Sequence, residues 1–85
     1  MSKEKKLITR LLSLPKDFTF DELETLLRRL GFERSNKGST SGSRVAFIKK
    51  STQEIIRIHK PHPGNELGMG TLKDVVTFLK DNGYI

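Results

Sequence analysis

The sequence predicts an α+β fold, a three-stranded antiparallel sheet with helices on one face and an extra helix at the N-terminus. Three observations carry this expectation. Apolar residues recur at helical spacing in three segments, the middle of the chain switches to period-two alternation, and two of the alternating runs lie close enough to pair as a hairpin. Length sets the scale. The 85 residues suffice for one core, so a single domain is expected over 1–85, with an N-terminal helix in 1–15 and an α-β-β-β-α core in 19–85.

The first segment, Lys3 to Leu14, places Leu7, Ile8, Leu11 and Leu12 on one helical face, and Pro15 stops it. Thr19-Phe20-Asp21-Glu22 fits a capping box: the Thr19 hydroxyl accepts from the Glu22 backbone N–H while the Glu22 carboxylate accepts from that of Thr19. Phe18 and Leu23 supply the hydrophobic staple. Phe20, Leu23, Leu26, Leu27 and Leu30 line the helix that follows, and Gly31 ends it with a left-handed residue.

A short extended piece begins at Phe32, and Asn36 to Ser43 reads as a polar loop with two glycines. Val45 and Phe47, then Ile56 and Ile58, alternate with polar neighbours on either side of Lys50-Ser51-Thr52-Gln53. A two-residue turn at Ser51-Thr52 pairs 47 with 56, 45 with 58, 46 with 57 and 44 with 59. Apolar residues then oppose apolar ones, and Arg44, Arg57 and His59 share the other, open face of the sheet. The stretch Lys60 to Gly70, with two prolines and three glycines, reads as an irregular loop. Thr71 with Asp74 marks a final helix start; Leu72, Val75, Val76, Phe78 and Leu79 form its apolar face, and Gly83 ends it.

Charge narrows the partners. Sixteen Lys and Arg against ten Asp and Glu give a formal +6, which favours a polyanion, nucleic acid first and acidic protein second. Cysteine is absent, which removes disulfides and thiolate metal sites. No apolar run reaches the roughly 18–20 residues of a membrane helix, and the first residues lack the apolar stretch of a signal peptide, so no membrane contact and a cytoplasmic location are expected. All five phenylalanines fall at core positions and only Tyr84 is left for the surface, which argues against recognition by base stacking.

The two histidines, His59 and His62, lie three residues apart between a strand end and the glycine-rich loop. Such a pair suits RNA cleavage without metal, one imidazole taking the proton of a ribose 2′-hydroxyl while a second protonated group serves the leaving 5′-oxygen. Arg44, Arg57 and Lys60 are placed to hold the phosphate. The plainer reading makes His59 an exposed strand residue and His62 a loop residue bonded to backbone. Two imidazoles without a neighbouring cysteine or well-placed carboxylate underligate a divalent ion, although Glu66 is available for recruitment, and neither metal nor cofactor is expected. Lys37, Ser43, Arg44, Lys49, Arg57 and Lys60 make the sheet and its loops the expected RNA-tracking surface. Lys3, Lys5, Lys6, Arg10, Arg28 and Arg29 decorate helices, where solvated charge is an equally good explanation.

Gly31-Phe32, Ser41-Gly42-Ser43 before a strand, Pro61-His62-Pro63-Gly64-Asn65-Glu66-Leu67 and Gly70-Thr71-Leu72 before the closing helix together resemble the HicA toxins of bacterial toxin–antitoxin pairs, from about Phe20 to the end. The resemblance implies a fold like double-stranded RNA-binding domains, ribosome-independent cleavage of mRNA, and neutralisation by a HicB-type antitoxin. In the family pattern the catalytic histidine directly follows Gly-Ser at the start of the second strand; here that position is Arg44. The hairpin register offers His59, across from Arg44, as the substitute, with His62 as second candidate and Arg44 as phosphate partner. Two other functions remain open at this stage, a non-catalytic RNA-binding domain and a basic module that docks an acidic protein.

Overall fold

A computed structural model of the protein describes residues 3–35, 44–61 and 64–85, with Arg44 described by its backbone. Among these residues the order is α1 (Lys3–Leu12), α2 (Phe20–Arg29), β1 (Glu33–Ser35), β2 (Arg44–Lys49), β3 (Glu54–His59) and α3 (Met69–Asp81). The strands form an antiparallel sheet in the order β1-β2-β3, so β3 is an outer strand. This is the α+β arrangement expected of a double-stranded-RNA-binding-like domain with an added N-terminal helix.

Helix α2 is built as its capping box dictates. The Glu22 N–H donates to Thr19 Oγ1 at 3.1 Å and the Thr19 N–H to Glu22 Oε1 at 3.0 Å. Phe20, Leu23, Leu26 and Leu27 are buried, and Gly31, at φ 101°, turns the chain out of the helix. A side chain at Gly31 meets only the flexible end of Lys49, with Cε at 3.1 Å, so it is the backbone conformation that favours glycine there.

Helix α1 packs into the same core through Leu7 and Leu11. It is shorter than the periodicity suggests, because Leu14 leaves the helical region with φ 50° ahead of Pro15. Leu12, expected on the buried face, is 45% exposed. Arg10 joins this helix to the next, its Nε 2.8 Å from Glu22 Oε2 and its Nη2 3.1 Å from Asp17 Oδ1.

The hairpin has the register read from the sequence, with Arg44 opposite His59, Val45 opposite Ile58, Ala46 opposite Arg57 and Phe47 opposite Ile56. Its turn differs. The last strand pair is Lys49–Glu54, leaving a four-residue connection in which the Gln53 N–H donates to Lys49 O at 2.7 Å and Gln53 has φ 61°. A tight two-residue turn of type I′ demands positive φ at both central residues, which Ser-Thr resists; the longer loop needs it only at Gln53. Adding one loop residue on each side leaves the register unchanged. Val45, Phe47, Ile56 and Ile58 face the helices and are buried, whereas Ile55, Arg57 and His59 are exposed.

Helix α3 is capped three residues before the predicted point. Gly68 is its N-cap and Met69 and Gly70 lie in its first turn, so Thr71 does not cap it and Gly70 is helical. The first turn tolerates glycine because its N–H groups have no partner within the helix in any case. Before α3, the chain is tied back to the start of α2. The Phe20 N–H donates to Asn65 O at 2.7 Å, the Leu67 N–H donates to Phe18 O at 2.8 Å, and Thr19 and Glu66 form an isolated antiparallel bridge.

Candidate functional site

Strand alternation determines which basic residues meet. Arg57 and His59 are two apart on β3, hence on one face, and both are exposed. Two of the predicted site residues, Arg57 and His59, therefore share the open face at one end of the hairpin, and Arg44 is the cross-strand partner of His59 in the backbone register. Lys37, Ser43 and His62 lie outside the described residues.

Lys49 and Lys60 are placed differently. Lys49 has the parity of Val45 and Phe47, and its Nζ lies 4.6 Å from the centre of the Tyr84 ring. Lys60 Nζ is 5.6 Å from the centre of the Phe20 ring, against the helical layer. Neither joins the Arg57–His59 face. Tyr84 is half-buried and its hydroxyl donates to Glu54 Oε1 at 2.6 Å. Together with a bond from the Thr52 hydroxyl, the larger cause, this holds the Glu54 carboxyl below the usual carboxylate range. The one tyrosine is thus a structural clasp at the hairpin's far end rather than a free stacking platform.

Where α3 crosses the outer edge of β3, a groove of about 360 Å³ opens. Its β3 wall includes Ile55, Arg57 and His59, and its α3 wall includes Thr71, Asp74 and Phe78. Phe78, expected in the core, is only half-buried, and its ring is steadied edge-on by Phe32 at 6.0 Å. The sequence reading assigned Thr71 and Asp74 to helix capping and missed their place here. Their spacing with Phe78 (71, 74, 78) is that of a single helix face, and it was the available signal.

No group of three or more His, Cys, Asp or Glu able to hold a metal ion occurs among the described residues. No helix among them is long and apolar enough to cross a membrane.

This fold and basic hairpin belong with a class of protein that comparison identifies. The family model described as the HicA toxin of bacterial toxin–antitoxin matches residues 20–84, which makes the protein a toxin of a toxin–antitoxin pair and implies an antitoxin partner. The chain belongs to the HicA toxin family. Helix α1 precedes the matched region. No curated protein and no solved structure matches the chain.

Proposed function

We propose that the protein is a ribosome-independent mRNA endoribonuclease that cleaves by metal-independent acid–base transfer and is neutralised by a HicB-type antitoxin in the cytoplasm. The observation that carries the reading is the hairpin register, with His59 directly across from Arg44 and Arg57 two residues away on the same face. Arg44 stands where the family pattern carries its histidine, so an imidazole on the neighbouring strand is offered to the same location. His59 takes the proton of a ribose 2′-hydroxyl. The freed oxygen attacks the adjacent phosphorus and the 5′-oxygen leaves with a proton from a second group, for which His62 is the candidate. Arg44 and Arg57 hold the phosphate and meet the negative charge that grows on it. Lys37 and Ser43 contact the flanking backbone, whereas Lys49 and Lys60, turned toward the helical layer, do not.

The test is incubation of the protein with a long unstructured RNA in EDTA, beside His59→Ala and His62→Ala. General acid–base groups contribute roughly 10²–10⁴-fold, and a rate loss of that order is expected for His59→Ala. Cleavage that survives both substitutions removes the mechanism. The presence of arginine at position 44 supports one second reading, an RNA-binding member that no longer cuts. Binding of RNA without cleavage by the unaltered protein selects it.

A further inference from the structure

The groove between β3 and α3 contains a carboxylate that the cleavage chemistry does not use. Asp74 is exposed and lines the α3 wall opposite Arg57 and His59. The Asp74 carboxylate makes no hydrogen bond or ion pair with the described residues. It has no capping duty, since α3 begins five residues earlier. A negative group facing a surface meant for phosphate repels phosphate, so its use lies with another part of the ligand. Carboxylates only accept hydrogen bonds. In RNA the strong N–H donors without a ribose or phosphate role sit on the base edges.

The groove has the size and lining for one base. Its volume of about 360 Å³ falls at the lower end of the roughly 300–1,000 Å³ typical of small-ligand clefts. Ile55, 45% exposed, and the half-buried Phe78 offer apolar surface to a base face, while Thr71 adds a hydroxyl. Adenine and cytosine present an exocyclic amino group on the pairing edge, and guanine presents an amino group beside a ring N–H. Uracil presents one ring N–H between two carbonyl oxygens, both of which a carboxylate repels.

We infer that this groove receives the base of a nucleotide next to the cleaved phosphate and that Asp74 selects bases bearing an amino group over uracil. The inference rests on the RNA-cleavage reading above. Single-stranded RNA oligonucleotides that differ in one base test it. The unaltered protein cuts beside adenine, cytosine or guanine about ten-fold or more faster than beside uracil, as a good carboxylate–amine contact implies. In Asp74→Ala the ratio falls to within about two-fold, and Asp74→Asn, whose amide also donates, admits uracil. Asp81→Asn, on the same helix outside the groove, leaves rate and ratio alone. Equal cutting beside uracil by the unaltered protein, or an unchanged ratio in Asp74→Ala, overturns the inference.

A titration of the ¹⁵N-labelled protein with AMP, CMP, GMP and UMP separates this inference from the reading beneath it. Shifts of the Thr71, Asp74 and Phe78 amides with the first three nucleotides and not with UMP uphold the groove even if no RNA is cut. Equal shifts with UMP, or none with any nucleotide, overturn it while leaving cleavage elsewhere on the hairpin standing.

Discussion

On the helical side of the molecule Arg10 is held by Glu22 and Asp17, Arg28 by Glu24 at 2.9 Å, and Arg34 lies 3.8 Å from the same Glu24. Along β3, Arg57 is exposed, as Arg28 and Arg34 are, yet makes no ion pair among the described residues. An arginine already met by a carboxylate has less to offer a phosphate, because binding must first break the pair it has. The +6 of the chain is therefore unevenly available. Arg10 and Arg28, which sequence left as either solvated surface or RNA contacts, belong to the architecture, and Arg57 on the outer strand is the arginine left available for a polyanion. The comparison teaches that ion pairing, more than the count of basic residues, sorts structural charge from functional charge.

If that division is right, substitutions on the helical side alter stability and those on the β3 edge alter RNA handling. Phe47→Ala is the largest expected stability effect. Phe47 is fully buried, opposes Ile56, and its ring centre is 6.1 Å from that of Phe20, so truncation leaves a cavity where sheet and helix meet. A loss of about 3–5 kcal/mol is expected, against the roughly 5–15 kcal/mol a small domain possesses; a urea unfolding curve measures it. Thr19→Ala comes next. It removes the acceptor of the Glu22 N–H and lowers the urea midpoint by the equivalent of about 1 kcal/mol, with RNA affinity unchanged.

Sequence revealed different parts of these two regions. The capping box, the left-handed Gly31 and the hairpin register were legible because each rests on local chemistry or on a strict period of two. The start of α3 was not: Thr71 and Asp74 look like a cap, whereas the actual N-cap, Gly68, carries no side chain to announce itself. The common face of Arg57 and His59 followed from parity. Lys60 shares the parity of Ile58, which already assigns it to the helical layer; closeness in sequence to His59 obscured this. The groove was hidden altogether, since it exists only through the way α3 crosses β3. The Arg10–Glu22 tie, twelve residues apart across a loop, is likewise a product of tertiary packing.

That tie gives the comparison a pH handle. The hydrogen bond from Arg10 is the largest cause holding the Glu22 carboxyl below its ordinary value near 4.5, with burial opposing it and the Thr19 N–H assisting. A carboxylate whose folded pKa is depressed stabilises the fold above its unfolded pKa and loses that contribution as pH falls through the folded value. Arg10→Met, which keeps an aliphatic stem near Phe18, is therefore less stable than the unaltered protein at pH 7. The difference shrinks once acidification below the ordinary carboxylate range protonates Glu22. Urea unfolding of both proteins at pH 7 and pH 3 checks this, and a gap that stays constant removes the ion pair as its source.

The smallest expected change in stability belongs to Arg57→Ala, and it makes the sharpest cut through the comparison. An exposed arginine with no ion pair among the described residues leaves folding within about 0.5 kcal/mol of the original. If Arg57 holds a phosphate, its removal releases one fewer counterion on binding, so the slope of log affinity against log salt falls by roughly 0.7 for a single strand. Arg28→Ala, at a position already paired with Glu24, serves as the helical-side counterpart and leaves that slope in place. Measured side by side on one unstructured RNA, equal slopes in the two variants would erase the distinction between paired and available charge. A reduced slope for Arg57→Ala alone, with both proteins folded, places the polyanion on the β3 edge.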